Sequence, residues 1–273
     1  NVKILNCSVA MPYPGVRTYY SRIYETKFLA GVIAGACSHS DRLGYVASAP
    51  IFGVPASVNA FALGARLVNP RAVVKLRWSC TESDPLASLL KDGVDVISNH
   101  EWFAPEAPQP PYGLIRVTDG ALESLAATYW NWGAFYEKLL NDLLLGHWED
   151  ESANSSAAAI NYWWGMQSGV IGVTAAEKLP EGVKAMTEIL KNAIIEGRLD
   201  PFRRVMSDQE GIVRNDGNRW LSPSEILHMD WLSDTIEGNV PAFSELLPMS
   251  QGIVRLMGVY REEIPPVKDG PIL

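Results

Sequence analysis

Cysteine is scarce: Cys7, Cys37 and Cys80 are all that 273 residues contain. Their number is odd and their spacing wide, which excludes a disulfide framework and a thiolate metal site. At least one thiol is unpaired, which fits a reducing compartment slightly better than an oxidising one. Cys7 on an apolar strand and Cys37 at a helix end read as small apolar side chains. The four histidines, His39, His100, His147 and His228, share no ligand spacing, so neither a metal nor a cofactor is expected. Positive charge is in deficit, with 23 Lys and Arg against 31 Asp and Glu and a net charge of −8. Without a basic stripe, nucleic acid is not an expected partner. No apolar run approaches the roughly 18 residues of a membrane span.

Catalytic signatures are missing as well. The serine-rich run at 152–156 lacks a Gly-x-Ser-x-Gly elbow and a preceding strand, so it reads as a linker. Gly31 and Gly35 fall inside a helical pattern and not after a strand, which excludes a phosphate cradle. Glu101 and Glu106 flank His100 without a nucleophile or an orienting partner. The expectation is a protein that is not an enzyme.

What remains is an ordinary folded composition, 47% apolar and 20% charged, long enough for one large core or two small ones. Residues 2–7 read as a short buried strand and 11–15 as a proline-punctuated loop. Because 2–7 begins the chain as an apolar interior strand, the sequence reads as a piece of something longer, with a cover still to be supplied. Tyr20, Ile23, Tyr24, Phe28, Leu29, Val32 and Ile33 recur at helical spacing, predicting a helix over 19–36. Strands follow at 43–47, 73–78, 94–98 and 113–117, with helices at 55–68 and 85–91. The segment 99–112 is proline-rich and replaces a helical crossover. This succession predicts right-handed βαβ units in one parallel sheet, with small molecules bound at the carboxyl ends of the strands.

Further along, Trp132, Phe135, Tyr136, Leu139 and Leu143 mark a helix over 128–146, and 149–158 is a polar link. Residues 160–173 are aromatic and then strand-like, and 181–197 is a helix stopped by its glycine. A hairpin is expected over 211–220, turning at Asn215-Asp216-Gly217-Asn218. Ser222-Pro223-Ser224-Glu225 is a capping box with proline at the first helical position, opening a helix that continues through Trp231 and Leu232. The tail beyond Gly258 is expected to wrap or fray.

Several of these segments share their wording with one family. Arg22-Ile23-Tyr24-Glu25, Phe28-Leu29-Ala30-Gly31, Gly44-Tyr45-Val46-Ala47 and Asn59-Ala60-Phe61 with Leu63-Gly64-Ala65 come first. Trp130-Asn131-Trp132-Gly133, Asp200-Pro201-Phe202, Asp208-Gln209 and Met229-Asp230-Trp231 follow in the same order. In this the chain resembles the basic membrane protein (BMP) family, nucleoside-binding lipoproteins that serve ABC importers. The resemblance implies an α/β, two-lobed type I periplasmic-binding-protein-like fold with parallel sheets, its first lobe incomplete. It divides the chain into 1–38 and 120–158 as the partial first lobe, 39–119 and 159–262 as the second, and 263–273 as a tail.

The pocket positions that the resemblance identifies are altered. The family's stacking aromatic in Trp-Phe-Asp-Pro falls in Glu82-Ser83-Asp84-Pro85, so Ser83 stands where a ring is expected and Glu82 beside it. A ribose-binding lysine is replaced by Trp130, and an acidic loop is shortened to Thr118-Asp119-Gly120, leaving Asp119. The Tyr-Trp-Gly-Gly turn becomes Tyr162-Trp163-Trp164-Gly165. The candidate ligand residues are therefore Glu82, Ser83, Asp119, Trp130, Trp164 and Gly165, while Trp78 and Trp132 read as fillers of the seam between lobes. Glu82 and Asp119 also read as ordinary solvated loop carboxylates. The implied function is non-catalytic capture of a nucleoside-like solute for a BMP-type ABC importer, as a membrane-associated lipoprotein on the extracytoplasmic face. A second reading is a cytoplasmic sensory or regulatory ligand-binding module in a larger multidomain protein. A third is a ligand-free module whose cleft is filled by its own tryptophans. Candidate partners are the small-molecule ligand, an ABC permease or upstream domain, and a second copy of the chain.

Overall fold

Two separate sheets of unequal size divide the work of the chain, with a two-stranded ribbon beside them. A computed structural model describes residues 2–7, 16–99, 112–146 and 162–260. The expected loop at 11–15, His100, Glu101, Trp102, Glu106, His147, the link at 149–158 and the tail at 263–273 lie outside the described residues. The larger sheet has seven strands among the described residues. Its centre is β3 (Arg42–Ala47), paired in parallel with β4 (Val73–Trp78) on one side and β5 (Val96–Ser98) on the other. Beyond β4 lies the short parallel strand Ile236–Glu237. Beyond β5 the polarity changes. β6 (Leu114–Thr118), β7 (Ala121–Trp130) and a strand at Ile171–Ala175 each run antiparallel to their predecessor.

Alternation along β3 sends Tyr45 to one face and Val46 to the other. Tyr45 meets Phe61 edge-on at 5.2 Å, on the face covered by α1 (Tyr24–Cys37) and α2 (Val54–Val68). Val46 packs with Leu89 of α3 (Pro85–Lys91) on the opposite face. α1 is buried on nearly every side, as expected of a helix that is apolar all round. It crosses α2 at two glycines: a Cβ on Gly31 would enter the backbone of Phe61, and one on Gly64 the backbone of Phe28. Only glycine permits that approach.

The smaller sheet orders β1 (Ile4–Cys7), β2 (Val16–Ser21) and a strand at Tyr162–Trp164, all parallel. Over it lies α4 (Trp132–Leu144), whose Phe135 stacks on Tyr19 at 4.4 Å. Strand β1 is at the edge of this order; Ile4 and Cys7 are exposed, whereas Cys37 and Cys80 are buried free thiols. The expectation of a buried strand there fails because only one side of β1 is paired among the described residues.

Other departures have identifiable causes. The predicted helix over 19–36 begins only at Tyr24, because the aromatic and β-branched Val16–Ser21 segment fits between two parallel neighbours. The helix expected from residue 128 begins at Trp132, after β7 has run on to Trp130. The hairpin pairs Val205–Ser207 with Val213–Asp216, so its turn is at 208–212, where Asp208 accepts the N–H groups of Glu210 and Ile212. The capping box of Ser222 and Glu225 forms as expected, but its helix is only Pro223–Leu227. A further helix, Pro248–Met257, gave no clear signal. Sheet membership also redraws the expected division: α1 and β7 pack with the large sheet, and Tyr162–Trp164 joins the small one.

Candidate functional site

Among the described residues, the chain passes between the two sheets three times, and always at the same edge of the large one. The first passage follows Ser21 of β2 into α1. The second follows Trp130 of β7 into α4, and the third leaves Trp164 and enters the strand at Ile171. This edge holds the carboxyl ends of β3, β4 and β5, the end at which open α/β sheets gather ligands. The three passages are tied to one another. Arg22 N–H donates to the Trp164 carbonyl at 2.8 Å and Asn131 N–H to the Val170 carbonyl at 2.6 Å. The indole Nε1–H of Trp130 donates to Ser21 Oγ at 2.7 Å. Asn131 also caps α4, its side-chain oxygen accepting the Ala134 N–H.

Charge is concentrated beneath this junction. Glu25, in the first turn of α1, is 5% exposed. Its Oε2 accepts the Met166 N–H at 2.7 Å, and its Oε1 lies 2.8 Å from Arg22 Nε. Burial pushes the Glu25 carboxyl above the ordinary carboxylate range, against the pull of Arg22 and the Met166 N–H; nearby Asp200 adds to the push. Burial raises Asp200 in the same way, opposed by the N–H groups of Phe202 and Arg203 and by Arg22. It raises the Tyr24 phenol and lowers the Arg204 guanidinium. Two residues along α1, Lys27 is 1% exposed; its ammonium donates to Ser98 Oγ at 3.2 Å and sits 5.3 Å from the centre of the Tyr45 ring.

The six candidate ligand residues do not converge. Trp130, Trp164 and Gly165 meet at the crossings. Trp164 packs against Phe135 at 5.0 Å and has Lys138 Nζ 5.9 Å above its ring. A Cβ on Gly165 would meet the Glu25 carboxylate and the Arg22 guanidinium, so both side chains would have to move to admit one. Glu82 and Ser83 follow β4 on the same edge. Glu82 is engaged by the Ser88 hydroxyl at 2.6 Å and by Arg77, and Ser83 is exposed. Asp119 is at the opposite edge. Strand β6 runs antiparallel to β5, so its carboxyl end points to the amino ends of the parallel strands. Asp119 forms the tip of the β6–β7 hairpin and is exposed. Among the seam residues, Trp78 is buried with its Nε1–H on the Asn239 carbonyl, and Trp132 lies edge-on to Tyr19. Glu25, Lys27 and Ser98 carry the buried polar chemistry at the junction, and none was read from the sequence as a site residue. The available signal was charge inside an otherwise apolar helix.

A separate cavity of about 530 Å³ lies between Val213–Asp216, Pro223–Leu227 and the segment His228 to Trp231. Its charged walls are occupied internally, Arg219 with Glu225 and Arg214 with Asp208.

Comparison with known proteins agrees with this architecture. Residues 15–102 match the family model described as ABC transporter substrate-binding protein, PnrA-like. The sequence is 29% identical over 223 residues to a purine-binding protein of Brucella abortus, covering 76% of this chain and 59% of that protein. It is 31% identical over 224 residues to a Haloferax volcanii protein named as an ABC transporter glucose-binding protein, covering 71% and 55%. The chain thus spans less than two thirds of the length of these curated relatives. Among solved structures, the fold is similar to that of a transcriptional activator of the comK gene from Bacillus halodurans. That match has a TM-score of 0.55 and 16% identity, covering 73% of this chain and 72% of the other. An ABC transporter solute-binding protein from Aeropyrum pernix matches with a TM-score of 0.50 and 12% identity, covering 72% and 69%. The fold is that of the two-lobed, periplasmic-binding-protein-like α/β proteins. The resemblance to the BMP family read from the sequence is borne out by the family match.

Proposed function

We propose that the chain is the ligand-capturing part of a BMP-type ABC importer, a non-catalytic solute-binding protein that holds a nucleoside-like molecule between its two sheets. The observation that carries this reading is the junction of three tied crossings, with Trp130 and Trp164 standing at it. Capture needs two bodies that close on a ligand over a common hinge, and a stronger set of contacts in the closed form selects that form. The names of the two curated relatives supply complementary chemistry, a purine and a sugar; a nucleoside presents both. Ser83 at the family's stacking position argues for weak binding of the common purine nucleosides. Delivery to a permease places the protein on the extracytoplasmic face, held by a lipid anchor. No helix among the described residues is long and apolar enough to cross a membrane.

Titration calorimetry of the chain with adenine, inosine, guanosine and glucose tests the reading. Saturable binding of a purine or nucleoside is expected, weaker than micromolar for guanosine and inosine. Replacement of Trp130 or Trp164 by alanine should weaken it by the roughly 1–3 kcal/mol that a stacked base is worth. Sub-micromolar guanosine binding would show that Ser83 does not weaken the base site. Binding of glucose alone, or turnover of a nucleoside, would overturn the proposal.

A further inference from the structure

We infer that Glu25 is a positioning residue of the ligand cleft: its carboxylate fastens the third crossing to the first and so sets the resting angle of the small sheet over the large one. The inference rests on the reading of the junction as the hinge of a ligand-capturing protein. It is carried by geometry at one glycine. Gly165, between Trp164 and Met166, is bracketed on both sides. The Trp164 carbonyl accepts the Arg22 N–H at 2.8 Å, and the Met166 N–H donates to Glu25 at 2.7 Å. Between these bonds the Gly165 backbone lies so close to the Glu25 carboxylate and the Arg22 guanidinium that a Cβ would fit only if those two side chains moved. A buried carboxylate is costly to maintain unless it is paired and hydrogen-bonded, and Glu25 has both an ion pair and a backbone donor. Each comes from a crossing, Arg22 from the first and Met166 from the third.

The pair with Arg22 is held by charge more than by direction. Arg22 Nε is 2.8 Å from Glu25 Oε1, yet it has no aligned hydrogen bond among the described residues. Both groups belong to the first crossing, three residues apart, so this contact orients the carboxylate while the Met166 N–H makes the tie to the third. The groups that face Glu25 are Arg22 and Tyr24 from its own crossing and Asp200 from the segment after Glu181–Ile195, with Arg203 and Arg204 acting on Asp200. Two carboxylates therefore compete for Arg22. Protonation of Glu25 removes its half of the ion pair and weakens the tie to the third crossing, because a neutral carbonyl oxygen accepts the Met166 N–H less strongly than a carboxylate does.

The experiment needs no ligand, so a failure to bind nucleosides leaves it readable. Spin labels are placed on the exposed native Cys7 of the small sheet and on Lys91→Cys at the end of α3 on the large one; Cys37 and Cys80 are buried. Pulsed electron–electron resonance then reports the distance between the sheets. A single narrow distribution is expected for the parent at neutral pH. Glu25→Gln, which keeps the acceptor and loses the charge, should shift its peak, and Glu25→Ala should shift and broaden it. Glu25→Asp should restore the parent peak in part. Acidifying the parent should reproduce the Gln shift, and the Gln variant itself should not respond to pH. If Glu25→Ala does not fold, the Gln variant and the pH series decide. Superimposable distributions for parent and Gln variant would overturn the inference. So would a pH response that persists in Glu25→Gln, because Asp200 would then be the responsible group.

Discussion

Glu225 shows how a single surface carboxylate can be committed to structure. Arg219 grips it with two guanidinium contacts at 3.0 and 2.8 Å, and the Ser222 N–H and hydroxyl donate to it at 2.8 Å each. The Arg219 hydrogen bonds, followed by the Ser222 N–H, lower its carboxyl to about 2. A carboxyl depressed on folding stabilises the native state above its unfolded value, and that contribution fades as pH falls toward the folded value. Glu225→Gln should therefore melt below the parent at neutral pH, and the gap should close as the pH approaches 2. Parallel thermal melts across that range check the sign. A gap that widens in acid would mean that the charge is not what Glu225 contributes. The same logic separates Glu225 from Glu25, whose carboxyl shifts the other way because burial dominates over its partners.

Turns and caps make the element scale legible where signals are local. Asp119 and Gly120 adopt φ of 51° and 79°, which two-residue hairpin turns of the I′ type require and which aspartate tolerates far better than alanine. Asp119→Ala should cost about 1 kcal/mol by the penalty for a left-handed alanine, while Asp119→Asn should be neutral. Neither change should alter ligand affinity, because the turn is at the far edge of the sheet; urea denaturation and calorimetry separate the two effects. Loss of binding in Asp119→Ala at unchanged stability would restore Asp119 to the site. Val73–Trp78 and Pro85–Lys91 were readable to the residue because alternation, Asp84 as cap and Pro85 at the first helical position all act within a few residues. The polarity of β6 was not readable, since nothing in a strand's own side chains says which way its neighbour runs. Residues 19–21 misled for a related reason: Tyr20 falls at helical spacing with Ile23 and Tyr24, and only the strands on either side make this stretch extended. Glu25 and Lys27 were not read as site residues because charges near the start of a helix usually mark its wet face, and α1 has almost none.

At the scale of the molecule, the small sheet is assembled from pieces that are distant in sequence. Arg17 and Tyr162, joined by a buried side-chain hydrogen bond, are separated by 145 positions. In the large sheet, β3 and β4 are joined through a single helix. Phe135 is the keystone of the small assembly, stacked on Tyr19 at 4.4 Å and set against Trp164 at 5.0 Å and Tyr162 at 6.1 Å. Pairings that close long loops are reached late in folding, and segments with the least supporting core open first from the native state. The order in which this protein comes apart is therefore written into its crossings. Amide exchange should find Tyr19 to Ser21 and Tyr162 to Trp164 protected by a smaller opening free energy than Leu43 to Val46 and Val74 to Leu76. Phe135→Ala, costing about 3–5 kcal/mol as a buried aromatic truncation, should abolish the first protection before it touches the second. Equal loss in both sheets would mean one cooperative unit. With unequal loss, a population of molecules exists in which the large sheet is intact while the small one is briefly undone. That population, more than the fully unfolded chain, is where a protease would first cut.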